Sequence, residues 1–210
     1  MKKLANIISS LFHPLLMATY GCLLLFFGLT NSVYYLFTPL RIKIVITIVV
    51  FAFTFLLPVL NLLILYKMKY ISSLKIESRN QRTFPLIMTS LCYFGLYYMI
   101  LDFNVWPTVK LFILGGALCI FFAAIINIWW KISAHMIGIG GVIGALVALC
   151  YFTQMPVFVA ISGCVLLAGL IGFARLYLDS HTEGQIYVGF TFGCFLQFSL
   201  FLLAQSITFV

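Results

Sequence analysis

Seven long apolar runs divide the chain, with short polar segments between them. The runs fall at about 14–38, 43–66, 85–101, 109–130, 136–153, 157–173 and 186–208. A helix that crosses a bilayer needs about 20 mostly apolar residues, and only helices or closed barrels satisfy the backbone in lipid. Because these runs are too long for barrel strands, we expect an all-α integral membrane protein. The short third run leaves open whether the bundle has six or seven transmembrane helices.

The composition agrees with a membrane protein. Of the 210 residues, 64% are hydrophobic and 8% are charged. Soluble domains carry roughly 25% charged residues, and a soluble fold of this size could not bury so much apolar surface. No repeat, low-complexity tract or long linker divides the chain, so we expect residues 1–210 to form a single multi-span domain. The N-terminal apolar run is expected to be retained as the first span and not removed as a signal peptide.

The excess of positive charge does not indicate a nucleic-acid partner. The net charge is +8, but the cations are scattered between apolar runs and no soluble domain could carry a basic face. Cations beside a membrane span typically contact lipid headgroups and set the orientation of the protein. We therefore expect the bilayer as a partner and no nucleic acid, while the sequence leaves the oligomeric state open.

Three polar segments collect the unusual side chains of the chain. If every run spans the membrane, segments 67–84, 131–135 and 174–185 emerge on the same side. Glycines follow the second segment and precede the third: Gly138, Gly140, Gly141, Gly144, Gly169 and Gly172. Small residues allow close helix packing in membranes, which would bring these segments together. We therefore expect a site at one membrane face.

The polar residues of these segments stand in three short motifs. The motifs are Lys75-x6-Arg82, Ser133-Ala134-His135 and Arg175-x5-His181. In this order and spacing they resemble the tripartite signature of the type-2 phosphatidate phosphatase superfamily, which includes lipid phosphate phosphatases and polyprenyl diphosphate phosphatases. The resemblance covers three short motifs in a multi-span helical setting. It implies a phosphate site made of side chains and a reaction that needs neither a metal nor a cofactor.

The resemblance also implies a role for each matched residue. The phosphate ligands would be Lys75, Arg82, Ser133 and Arg175. A guanidinium group meets phosphate oxygens with a bidentate fork, whereas lysine acts as a point charge. His181 would attack phosphorus to form a phosphohistidine, and His135 would protonate the leaving group and then activate water.

The chain departs from the family pattern at five positions. Thr83, Ile132, Ala134 and Ala174 alter loop shape more than chemistry, whereas Gln185 replaces an aspartate that orients the nucleophilic histidine. A glutamine carbonyl can accept a hydrogen bond from His181 and so set its tautomer, but it offers no negative charge to the imidazolium. We expect Gln185 to hold His181 in an enzyme that is slow, specialised or inactive. In a continuous helix over 174–185, Asp179 would face away from His181 and Gln185.

These expectations favour a membrane lipid phosphatase. A site at the membrane face suits phosphatidate, phosphatidylglycerol phosphate or undecaprenyl diphosphate, and the sequence does not choose among them. One alternative is a catalytically inactive relative that binds phosphorylated lipid or a partner protein, and another is a small transporter. The expected location is the cell membrane, as a multi-pass protein of the bacterial inner membrane. The positive-inside rule places the site in the cytosol, whereas bacterial members of the resembled family usually face the periplasm, so the orientation stays open.

Overall fold

Helices form the whole framework of the protein. The computed structural model describes residues 1–29, 36–74, 76, 78–154 and 157–208, with the side chains up to residue 205. No strand occurs among these residues. Seven helical stretches are long and apolar enough to cross a membrane: Lys2–Gly28, Leu40–Lys67, Arg79–Ile100, Pro107–Ile126, Ala134–Thr153, Phe158–Tyr177 and Glu183–Gln205. The prediction of an all-α, multi-pass membrane fold is confirmed, with seven spans in the described part of the chain.

We number the longer α-helices in chain order. They are α1 (Lys2–Leu11), α2 (Met17–Leu23), α3 (Leu40–Phe51), α4 (Leu57–Lys67), α5 (Thr83–Ile100), α6 (Pro107–Ile126), α7 (Ala134–Thr153), α8 (Phe158–Tyr177) and α9 (Glu183–Thr208). Helices α3 and α4 form one span, joined by a π-helical turn at Ala52–Leu56. Because Pro58 lacks an N–H, it cannot donate the usual helical hydrogen bond, and the wider π turn accommodates that loss.

The first span starts earlier than the sequence analysis predicted, and it is broken. The apolar run suggested a start near residue 14, whereas α1 already begins at Lys2 and packs against α8. A short 3-10 turn at Pro14–Leu16 separates α1 from α2. The break falls at a proline because its ring cannot continue the preceding helix. His13, at the break, therefore lies between two helices and not inside one.

Helices α7 and α9 pack backbone against backbone. A Cβ atom at Gly140 would lie 2.3 Å from the carbonyl oxygen of Phe190, and one at Gly144 would lie 2.3 Å from that of Cys194. Gly193 on α9 approaches the α7 backbone just as closely, at 2.2 Å. Only glycine permits such an approach. The predicted close packing is confirmed for this pair, which sets the starts of α7 and α9 side by side.

The glycines before the third polar segment behave differently. A Cβ atom at Gly169 would meet nothing within 4 Å, and one at Gly172 would make an ordinary contact of 3.5 Å with Ile186. The expectation of close packing is therefore wrong for Gly169. It is the α7–α9 contact that brings the second and third polar segments together.

Candidate anion site at one membrane face

The third polar segment is a turn between two helices. Helix α8 ends at Tyr177 and α9 begins at Glu183, so a continuous helix over 174–185 does not form. Asp179 adopts a left-handed backbone conformation with φ of 49° and is exposed. His181 lies in this turn and is buried, with 9% of its surface exposed. The turn therefore presents a histidine, and not a carboxylate, to the interior.

Gln185 has two tasks at the start of α9. Its side-chain oxygen accepts the backbone N–H of Thr182 at 3.3 Å, as in the capping box formed by a threonine and a glutamine three residues later. The same oxygen lies 2.9 Å from Nδ1 of His181. Since an amide oxygen only accepts, Nδ1 of His181 carries the proton and Nε2 keeps its lone pair. Gln185 therefore selects the tautomer of His181 in which Nε2 is free, and a nucleophilic attack through Nε2 would require this tautomer.

The surroundings of His181 keep its ring neutral. Burial lowers the pKa of His181 to about 4, and the positive charges of Arg82, Arg175 and Lys131 act in the same direction. The hydrogen bond that His181 donates to Gln185 acts in the opposite direction but does not outweigh them. At neutral pH the ring is therefore an uncharged base in a cationic environment.

Three polar groups around this histidine have no partner. Nη1 of Arg82, Nε of Arg175 and Oγ of Ser133 are buried without a hydrogen bond. In the described part of the chain, no carboxylate pairs with either arginine. The two guanidinium groups are close enough to interact electrostatically with each other. Buried cations and hydroxyls without partners are unfavourable, so this arrangement is suited to an anion with several oxygen acceptors.

Backbone geometry fixes Ser133 beside the third segment. The N–H of Ser133 donates to the backbone carbonyl of Gln185 at 3.4 Å. Ser133 also precedes the first residue of α7, where backbone N–H groups have no helical partner and favour negative charge. The starts of α5, α7 and α9 all lie near the cluster, which strengthens the positive potential there.

All three histidines of the chain belong to the same cluster. His135 lies in the first turn of α7, and its Nε2 is 3.0 Å from the carbonyl oxygen of Ser9 in α1. Nε2 of His135 therefore donates, which leaves Nδ1 as the ring atom that can accept a proton. The ring of His13 contacts that of His135 edge to face, with centroids 5.8 Å apart. His13 and His135 both interact electrostatically with Arg175.

The first polar segment is tied to the end of α6 by an asparagine. Nδ2 of Asn127 donates to the carbonyl of Arg79 at 2.9 Å and to Oγ1 of Thr83 at 3.0 Å. Arg79 in turn donates to the carbonyl of Trp129. These bonds fix the start of α5, and with it Arg82, against the end of α6. Lys75, the remaining predicted phosphate ligand, lies outside the described residues.

The structure thus brings together six of the seven residues predicted for the site: Arg82, Ser133, His135, Arg175, His181 and Gln185. Its charge favours an anion over a metal ion, since the cationic side chains that act on His181 would repel a metal ion. Among the described residues, no three His, Cys, Asp or Glu side chains form a group that could hold a metal ion. The arrangement offers a neutral histidine with a free Nε2, a second histidine, and unpartnered donors for oxygen atoms.

Sequence reasoning missed two contributors to this cluster. An ionisable residue at membrane depth is costly and is a candidate for function, and His13 beside a proline in an apolar run was such a signal. The carbonyl of Ser9 gave no signal, because a backbone acceptor has no sequence signature. No family model matches the chain, and neither a curated protein nor a solved structure matches it.

Proposed function

We propose that the protein is a metal-independent lipid phosphatase of the cell membrane, in the bacterial inner membrane, as its resemblance to the type-2 phosphatidate phosphatases implies. The observation that carries the proposal is a neutral His181, held by Gln185 with Nε2 free, beside two partly buried arginines that each have one buried nitrogen without a hydrogen-bond partner. A phosphate group on a lipid would supply the missing acceptors. The membrane spans would keep its hydrocarbon part in lipid.

The reaction proceeds in two displacements. Nδ1 of His135 first takes the proton of the monoanionic phosphate ester; the lone pair of His181 Nε2 then forms an N–P bond while the P–O bond to the lipid breaks, and the leaving oxygen takes the proton from His135. Water then attacks phosphorus and gives a proton to Nδ1 of His135, the N–P bond breaks, and inorganic phosphate leaves with the proton that His135 returns to it. Arg82, Arg175 and Ser133 stabilise the charge on the equatorial oxygens in both steps.

A second candidate is a catalytically inactive relative that binds phosphorylated lipid. Gln185 favours it, because a phosphorylated histidine is cationic and an amide gives it no opposite charge. Both candidates use the same phosphate ligands, so binding alone does not separate them.

Phosphate release from purified protein in detergent tests the proposal. The substrates are phosphatidate, phosphatidylglycerol phosphate and undecaprenyl diphosphate, each with and without a chelator. We expect release that the chelator does not change and that His181→Ala abolishes. Thr182→Ser serves as the matched control in the same turn, because serine also forms capping boxes. A folded wild-type protein that releases no phosphate from any of the three lipids would leave the inactive relative as the function.

A further inference from the structure

An apolar cavity of about 100 Å³ lies directly beneath the anion site. Its upper wall includes Pro14, the neighbour of His13, and Ala134, which stands between Ser133 and His135. From there it follows α7 down to Gly141, seven residues further, which corresponds to roughly 10 Å at 1.5 Å per residue. The cavity therefore extends from the phosphate-binding residues toward the interior of the membrane.

The wall of this cavity offers little to polar groups. Among its polar side chains, Thr89 donates to the carbonyl of Pro85 at 2.8 Å, and Gln197 donates to that of Leu111 at 3.3 Å. The hydroxyl of Thr89 and one N–H of Gln197 are therefore already used within the protein. A polar group that entered here would lose its hydrogen bonds to water without equivalent replacement, at a cost of roughly 1–3 kcal/mol for each such group.

The size and polarity of the cavity together limit what can occupy it. A dry apolar cavity of roughly 150 Å³ is known to bind benzene, so about 100 Å³ has room for roughly four carbon atoms of one chain. A phosphorylated diacylglycerol carries ester groups between its phosphate and its two chains. Those esters would have to lie where the wall is apolar. In a prenyl or alkyl phosphate, the hydrocarbon follows the phosphate oxygen directly.

We propose that this cavity receives the first carbons of a single hydrocarbon chain, and that the substrate class is therefore prenyl or alkyl phosphates and diphosphates in preference to diacyl glycerolipids. This inference rests on the proposed function, because it places the phosphate at Arg82, Arg175 and Ser133. It deepens that function by choosing among the lipids that the sequence leaves open.

Filling the cavity tests the inference. Ala123→Leu adds bulk near the upper end of the cavity, and Cys119→Leu does so one helical turn deeper on α6. Hydrolysis is measured with farnesyl phosphate, dioctanoyl phosphatidate and glycerol 3-phosphate, which has no chain. We expect the wild type to prefer farnesyl phosphate over dioctanoyl phosphatidate at least tenfold in kcat/KM. Either substitution should lower the ratio of kcat/KM for farnesyl phosphate to kcat/KM for glycerol 3-phosphate at least tenfold. The cause should chiefly be a higher KM for farnesyl phosphate.

Gly169→Leu is the control, because this glycine on α8 faces open space. Its substitution should change the rate of hydrolysis of neither farnesyl phosphate nor glycerol 3-phosphate. An unchanged ratio in both folded cavity variants, or a wild-type preference for the diacyl substrate, would overturn the inference. If the wild type hydrolyses none of the substrates, the proposed function fails and thermal melting decides the inference. Farnesyl phosphate should then raise the melting temperature more than inorganic phosphate does, and Ala123→Leu and Cys119→Leu should remove that difference. An equal rise with both ligands would contradict the cavity assignment.

Discussion

At the scale of single residues, the unusual feature of the site is the amide of Gln185, which stands beside the histidine that we propose as the nucleophile. The side-chain oxygen of Gln185 serves both His181 and the backbone of Thr182, so its position is fixed by the start of α9 as well as by the site. A carboxylate of the same shape could keep both bonds. The amide thus preserves orientation and gives up charge, and the two contributions can be separated by substitution.

Gln185→Glu should accelerate hydrolysis. The carboxylate retains both hydrogen bonds and adds a negative charge that stabilises the cationic phosphohistidine, so we expect kcat to rise at least about tenfold. The same charge raises the pKa of His181 above its value of about 4, so the acid limb of the pH–rate profile should move to higher pH. Gln185→Met, which removes the acceptor, should lower kcat by about a hundredfold or more. A Gln185→Glu enzyme slower than wild type at pH 7 and above would contradict the assigned role.

At the scale of helices, the site depends on how closely α7 and α9 approach. The two helices deliver Ser133 and Gln185 to positions where their backbones bond at 3.4 Å. Glycines one to three turns deeper let the two helices approach this closely. A small change in the distance between α7 and α9 should therefore change the rate of hydrolysis.

Gly144→Ala should damage both stability and catalysis. Its Cβ atom would lie 2.3 Å from the carbonyl oxygen of Cys194, and because that atom is backbone, α9 must move away. We expect a loss of about 1–3 kcal/mol in the free energy of unfolding, seen as a lower melting temperature, and a reduced kcat. Gly163→Ala is the matched control, since nothing lies within 4 Å of the added atom and alanine favours a helix. Equal melting temperatures for the two variants would show that the close approach does not matter.

At the scale of the whole molecule, the sequence predicted the fold better than the details of the site. The spans were predictable because a backbone in lipid must form helices, which demands long apolar runs. Helix α1 was not predictable in the same way, because its polar residues shorten the apolar run in front of Pro14. The convergence of three polar segments followed from counting spans. The hydrogen bond between His135 and the carbonyl of Ser9 could not be predicted in this way, since the two residues are 126 positions apart and the acceptor is a backbone carbonyl.

The assembled molecule gathers cations that repel one another at one membrane face. Arg82, Arg175 and Lys131 all act on the same buried histidine, and they come from three different polar segments. A bound oxyanion would relieve this repulsion and join the segments. Because a ligand that binds only the folded state stabilises it by RT ln(1 + [L]/Kd), saturating phosphate should contribute about 3 kcal/mol at a hundredfold excess over Kd.

We therefore expect phosphate or vanadate to raise the melting temperature of the detergent-solubilised protein by several degrees at pH 7. Chloride at the same ionic strength controls for general screening and should have little effect. Arg175→Gln should remove most of the shift, because it deletes the guanidinium group whose buried Nε has no hydrogen-bond partner. Lys110 lies in α6 and donates to the carbonyl of Leu101, so the control variant Lys110→Gln should retain the shift. His181→Ala should also retain much of the shift, since the proposed function makes this histidine the nucleophile and not one of the phosphate ligands. Equal shifts with phosphate and chloride would show that the cluster does not form a specific oxyanion site.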